Sequence, residues 1–262
     1  MPEWLSVIIL GVIEGITEFL PISSTGHMLL AEHFLPHKQS DLFLAVVQTG
    51  AVLAVVTVFA GRVKDLLMRW YEPVHRDYLL KLVVAFFLTV VGGLILKKIG
   101  FKLPKEVAPI AWATLLGGVL ILGAEWILRG KKLVNEVTWT IAVAIGVGQL
   151  IAVVFPGSSR SGTTILMALA MGLSRPAAAE FSFLLGIPTL LSAGALEVMQ
   201  HLKNPAGKEV VHWDMVLLGT AVAAVVAFAV VKWMLGYIRT HTFAAFGWYR
   251  ILAGALILLL VK

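Results

Sequence analysis

The 262-residue chain contains no cysteine. Disulfides, thiolate nucleophiles and cysteine-based metal sites are therefore excluded. Charge is also scarce: Asp, Glu, Lys and Arg together make up 14% of the residues, against 59% hydrophobic ones. The mean hydropathy is +0.92. Apolar runs this long and this numerous exceed what a soluble core needs, so the sequence reads as a polytopic membrane protein. No secretory leader is expected, because residues 4–10 lack a basic flank and a small-residue cleavage site. Acidic residues are outnumbered, 15 to 21, and the net charge is +6. In a membrane chain that excess belongs to cytoplasmic loops and anionic headgroups. Nucleic acid is not an expected partner.

Two short polar strings interrupt the apolar chain, and each copies the other. The first is Gly11-Val12-Ile13-Glu14, running into Glu18-Phe19-Leu20-Pro21-Ile22-Ser23-Ser24-Thr25-Gly26-His27. The second is Gly146-Val147-Gly148-Gln149, running into Phe155-Pro156-Gly157-Ser158-Ser159-Arg160-Ser161-Gly162-Thr163-Thr164. A gapless offset of 135 residues carries Gly11 onto Gly146, Glu14 onto Gln149, Pro21 onto Pro156 and Ser23-Ser24 onto Ser158-Ser159. Duplicated polar breaks in apolar helices mark a site near the membrane midplane, shared by two halves.

Apolar segments fall at about 4–20, 26–35, 41–60, 79–99, 107–128, 137–155, 161–173, 176–200, 213–235 and 243–261. Each half reads as a re-entrant helical hairpin followed by three spans. The expectation is an all-α integral membrane domain over 1–262, with ten helical segments: six transmembrane helices and two re-entrant hairpins. Repeats at about 1–130 and 136–262 would have inverted topology, because three spans carry the second hairpin to the opposite side. One side then receives Arg62, Lys64, Arg69, Arg76, Arg129, Lys131, Lys132, Arg175, Lys232 and Arg239. The other receives Lys38, Lys97, Lys98, Lys102, Lys105, Lys203, Lys208 and Lys262. Every loop Arg is on the first side, which is assigned to the cytoplasm, with both termini outside. Trp4, Trp70, Trp112, Trp126, Trp139 and Trp213 fall near predicted helix ends, as an aromatic belt would.

Glu14 and Glu18 share one helix face, four residues apart. Ionisable residues in lipid are costly and mark function. A close carboxyl pair titrates as a unit and suits proton transfer, or a divalent cation bridging to a diphosphate. Ser23, Ser24 and Thr25 sit where the hairpin turns into its second helix, whose N-terminus offers N–H groups to an anion. Ser24 is one helical turn from His27. The imidazole could activate the serine, or act itself as nucleophile, general acid or ligand. In the second string Gly157 and Gly162 permit close backbone approach, and Ser158, Ser159, Ser161 and Thr164 supply hydroxyls. Arg160 offers a planar fork for phosphate; buried, it needs an anion from Glu14/Glu18 or from substrate. Elsewhere, Arg250 is expected to snorkel or to pair with Glu180 or Glu197. Gln48 is expected to bond between helices, and Glu125 to be interfacial. Gly92-Gly93 and Gly117-Gly118 are expected at close helix contacts.

The run Glu14-Gly15-Ile16-Thr17-Glu18-Phe19-Leu20-Pro21-Ile22-Ser23-Ser24-Thr25-Gly26-His27 resembles the glutamate-rich motif of the bacterial undecaprenyl-diphosphate phosphatases, the bacitracin-resistance family. The run from Pro156 to Thr164 resembles that family's second motif, and Glu180-Phe181-Ser182-Phe183-Leu184-Leu185 and Tyr249-Arg250 match further features. The resemblance covers nearly the whole chain. It implies hydrolysis of undecaprenyl diphosphate to undecaprenyl phosphate and phosphate, for recycling of the envelope lipid carrier. It also implies the bacterial inner membrane, an active site open to the outer face, and a divalent cation (Mg or Ca) held by Glu14 and Glu18. It places the acid pair on Glu14 and Glu18, the nucleophile on Ser24, the histidine on His27 and the phosphate-binding arginine on Arg160. Direct attack by water stays open. The expected partners are the polyprenyl diphosphate and membrane lipids, with a homodimer left open. The alternative function is a polyprenyl-phosphate flippase, since inverted repeats with broken helices also build transporters.

Overall fold

The computed structural model describes residues 1–101, 106–203 and 211–260. Lys102, Lys105, Lys208 and Lys262, counted above for orientation, lie outside the described residues. Among the described residues the chain is all-helical, with α1 (Glu3–Thr17), α2 (Ser24–Phe34), α3 (Asp41–Val58), α4 (Ala60–Met68), α5 (Pro73–Lys98), α6 (Val107–Leu128), α7 (Trp139–Val154), α8 (Arg160–Ala170), α9 (Arg175–Lys203), α10 (Trp213–Tyr237) and α11 (Ala244–Leu260). A bridge between extended residues, Val134 to Leu173, is isolated.

That is one helix more than the sequence predicts. The addition, α4, is set off from α3 by Phe59, whose φ of −100° and ψ of 24° are not helical. It carries Arg62, Lys64 and Asp65 and buries Leu66, the pattern of an amphipathic surface helix. Among the described residues, five helices are long and apolar enough to cross a membrane: α3, α5, α6, α9 and α10. α7 and α11 are apolar but shorter, at 16 and 17 residues. Pro73 starts α5 at its first turn, where a missing N–H costs nothing. Ser40 and Thr138 cap α3 and α7 by accepting from Phe43 N–H and Ile141 N–H.

Helix pairs close over small residues. Gly11 and Gly15 of α1 meet the carbonyls of Gly219 and Ala223 on α10, and Gly50 of α3 meets that of Thr220. A methyl group at any of them would collide with that backbone. Between apolar helices in lipid, close backbone approach is the main source of packing energy. Gly118 faces Gly247 across α6 and α11, as expected, whereas Gly93 faces open space. α1 packs on α10 and α7 on α5; α2 touches α11 and α8 touches α6; α3 crosses α9.

The two polar turns have the same build. Ser23 caps α2 at φ 74° and accepts from Gly26 N–H; Ser159 caps α8 at φ 71° and accepts from Gly162 N–H. Among the described residues they are the only non-glycine positions with positive φ. Such strain persists where surrounding contacts over-determine it, commonly at functional sites. The caps correspond at an offset of 136, not 135, so the gapless alignment slips inside the turn. Ser24 thus matches Arg160, and the second turn holds one extra residue between its proline and its cap.

Candidate active site

Glu18, at the C-terminal end of α1, joins the two turns. Its Oε2 accepts a hydrogen bond from the Ser24 hydroxyl at 2.7 Å. Its Oε1 accepts from Arg160 Nη2 at 3.0 Å. Ser24 and Arg160 are the first residues of α2 and α8, each directly after a left-handed serine cap. The duplicated turn therefore presents two different side chains to one carboxylate. The Ser161 hydroxyl ties the turns again by donating to the Leu20 carbonyl at 2.9 Å.

Arg160 is held on several sides. Nη1 donates to the Ser182 carbonyl on α9 at 3.2 Å, and the guanidinium lies 5.1 Å over the Phe19 ring. Space for it comes from Gly186 on α9, where a Cβ would lie 2.5 Å from Nη1. Its Nε is buried and finds no partner among the described residues. Such a donor is costly unless a ligand satisfies it.

A cavity of about 300 Å³ opens beside this cluster. Glu18, Ser24, Thr25, Gly157, Ser159 and Arg160 line it, together with Gln48, Gln149 and Thr189. The N-termini of α2 and α8 both border it, which favours an anion inside. Gln149 is oriented by donating from Nε2 to Thr89 at 2.8 Å and accepting from Thr189 at 3.4 Å. Glu14 is 1% exposed, interacts with Glu18, and has Oε1 without a partner among the described residues.

A family model described as Bacitracin resistance protein BacA matches residues 7–256. The chain belongs to this family. An undecaprenyl-diphosphatase of Rhizobium etli (strain CIAT 652) is 47% identical over 259 residues, 98% of this chain and 96% of the relative. One from Xylella fastidiosa (strain 9a5c) is 47% identical over 261 residues, 98% of each chain. One from Xanthomonas oryzae pv. oryzae (strain PXO99A) is 45% identical over 260 residues, 99% of this chain and 97% of the relative.

In this BacA-family chain the sequence-read residues divide by position. Glu18, Ser24, Thr25, Gly157, Ser159 and Arg160 meet at the cavity. Ser23 is a buried cap, and Thr164 is buried against Ser182 while donating to the Arg160 carbonyl at 2.8 Å. Ser161 bonds the first turn, and Ser158 faces a different, apolar groove. These four hydroxyls do not line the cavity. His27 does not pair with Ser24. Its Nδ1 lies 2.7 Å from the Ser23 carbonyl and its Nε2 2.6 Å from the Tyr249 hydroxyl, with the two rings stacked. A carbonyl only accepts, so Nδ1 carries a hydrogen and the ring buttresses the turn.

Three further polar residues lie as follows. Arg250 pairs with neither Glu180 nor Glu197. It is 1% exposed and donates to four carbonyls: Thr114, Pro21, Ala113 and Gly157. Two of those carbonyls belong to the two polar turns. Glu125, three residues from the end of α6, is buried; it pairs with Arg175 and accepts from Phe243 N–H at 2.8 Å. Gln48 lines the cavity. The sequence carried a signal for Gln149, as the counterpart of Glu14, but none that would place Gln48, Thr189 or Arg250.

The donors present fit a divalent cation only in part. No group of three His, Asp or Glu side chains that could hold a metal exists among the described residues. Glu18, the carboxylate at the cavity, already accepts from Ser24 and Arg160, and the unpartnered Glu14 Oε1 is buried behind it, outside the cavity lining.

Proposed function

We propose that this chain hydrolyses undecaprenyl diphosphate to undecaprenyl phosphate and inorganic phosphate, regenerating the lipid carrier of envelope polymers. The carrying observation is the Glu18 carboxylate, bonded at once to the Ser24 hydroxyl and the Arg160 guanidinium at the edge of a polar cavity. A nucleophile, a base and an anion clamp are the parts that phosphoryl transfer needs.

In the mechanism we infer, Arg160 and the two helix N-termini hold the terminal phosphate. The Ser24 oxygen bonds to the terminal phosphorus while its proton passes to Glu18. The bond from that phosphorus to the bridging oxygen breaks, and undecaprenyl phosphate leaves. Water then cleaves the phosphoserine, and Ser24 regains its proton. Glu14, packed against Glu18, takes part in returning the proton. Glu18 is the carboxylate that would hold a divalent cation at the cavity, where the ion would neutralise charge on the diphosphate. Thr25, Ser159, Gln48 and Gln149 orient the substrate, and His27 with Tyr249 fixes the first turn.

The placement belongs to the same proposal. α1–α2 and α7–α8 are read as re-entrant hairpins, since α2 and α8, at 11 residues each, span roughly 16 Å, half the hydrocarbon thickness. α3, α5, α6, α9, α10 and α11 are then the six spans. The exchange of contacts, α1 on α10 for α7 on α5 and α2 on α11 for α8 on α6, supports two inverted halves. The loop arginines support a cytoplasmic face opposite both termini, in the inner membrane with the site open to the outer side. The test is phosphate release from a long-chain prenyl diphosphate by purified protein in detergent. Release that Arg160→Lys removes supports the reading; no release from folded wild-type protein overturns it.

A further inference from the structure

An apolar groove of about 520 Å³ lies on the other side of the second turn from the catalytic cavity. One wall is α6, with Trp112, Leu116 and Leu120; the other carries Phe155, Leu166 and Met167. Trp112, Leu116, Leu120 and Phe155 are each more than half exposed, so in a bilayer this groove is open to lipid. Its lining is apolar except at the turn, where Ser158, Gly162, Thr163 and Arg250 border it. Ser158 is buried, and its hydroxyl has no hydrogen-bond partner among the described residues. The next two residues, Ser159 and Arg160, line the catalytic cavity.

We propose that this groove seats the first isoprene units of the polyprenyl chain while the diphosphate occupies the catalytic cavity; this rests on the function proposed above. The groove and the cavity share one turn, with Phe155 and Ser158 lining the first and Pro156 and Ser159 the second. An occupant that fills both joins an anionic head to an apolar chain that starts within a few atoms of it. A prenyl diphosphate has that build, with its chain beginning at the phosphate ester oxygen. A phospholipid acyl chain entering the groove from the bilayer leads with a methyl group and brings no anion to the cavity. The chain passes from cavity to groove around the C-terminal end of α7, where Ala152 and Pro156 face the cavity and Ile151 and Phe155 the groove. The groove's size is that of a small-molecule site, so it takes the start of a long chain and leaves the rest in lipid.

Photo-crosslinking tests this without requiring hydrolysis. The probe is a polyprenyl monophosphate with a diazirine in its first isoprene units, added to the full chain in phosphatidylcholine vesicles. Adducts should concentrate on Trp112, Leu116, Phe155 and Leu166 and disappear with excess unlabelled polyprenyl phosphate. Adducts spread over lipid-facing residues of α5 and α10, undiminished by competitor, would show ordinary bilayer contact and overturn the proposal. Kinetics give a second readout. Leu116→Trp and Leu120→Trp fill the groove. Each should raise KM for a long-chain diphosphate roughly fivefold with kcat kept, a modest effect because the chain moves between two apolar surroundings. Dimethylallyl diphosphate, whose single isoprene unit fills only the end of the groove, should show a far smaller change in kcat/KM. Equal changes for both substrates, or no change for either, contradict the assignment. Concentrated crosslinks in a protein that releases no phosphate would refute the reaction and leave the groove standing.

Discussion

Glu18 and Arg160 stand 142 residues apart in the chain and 3.0 Å apart in the fold. One closes the first helix and the other opens the eighth. Their meeting joins the two copies of the polar turn, and the Ser24 hydroxyl completes the group from the same side as the cavity.

Arg160→Lys keeps the charge and loses the planar fork. Turnover should fall by about 10²–10³, the usual cost of removing a donor aimed at developing charge. Thermal unfolding in detergent should move little. Near-full turnover in the folded variant would make Arg160 a structural partner of Glu18.

Gly186→Ala tests the same clamp from a distance. The new methyl group would lie 2.5 Å from Arg160 Nη1, at the far end of a flexible side chain. The helix should tolerate it while the guanidinium shifts. We expect kcat/KM to drop roughly tenfold, since an ångström of misplacement commonly costs that much or more. Wild-type kinetics would show that Arg160 does not need its observed position.

Arg250→Met strips the shared donor from Pro21 and Gly157, one carbonyl in each turn. The buried Pro21 carbonyl then lacks a donor, at about 1–3 kcal/mol, whereas Gly157 keeps the Thr114 hydroxyl at 3.1 Å. Stability and activity should fall together, read as a lower unfolding temperature alongside phosphate release. Loss of activity with unchanged unfolding would place Arg250 in the chemistry instead.

Glu18→Gln should cost more than Glu14→Gln, because only Glu18 touches both Ser24 and Arg160. The double variant should be far less impaired than the product of the two single effects, as for residues that act as a unit. Multiplicative losses in a turnover assay would give the two carboxyls separate tasks.

Much of this site was legible in the chain. Polar residues are rare enough in an apolar background that Glu14, Glu18, Ser24 and Arg160 stand out. The repeat pointed to two turns that share one build, a left-handed serine cap before each short helix. Its register inside the turn was not legible, because a left-handed serine looks like any other serine in sequence. Identity favoured aligning the serine pairs, while the caps pair Ser23 with Ser159. The Ser24–His27 pairing that helical spacing allowed does not form for a related reason: Tyr249, 222 residues away, holds the imidazole. Arg250 stood out beside Tyr249 as a match to the family, but nothing in the sequence gave its partners. Its partners are backbone carbonyls, which every residue has and no pattern marks.

The most direct test follows phosphate on Ser24. Rapid-quench mass spectrometry of wild-type protein with a slowly turned-over prenyl diphosphate should find phosphoserine at Ser24 before free phosphate appears. Ser24→Ala should abolish both the adduct and turnover, while Ser23→Ala, a cap loss of about 1 kcal/mol, should leave the adduct in place. Substantial phosphate release by folded Ser24→Ala would contradict the account and give the attack to water.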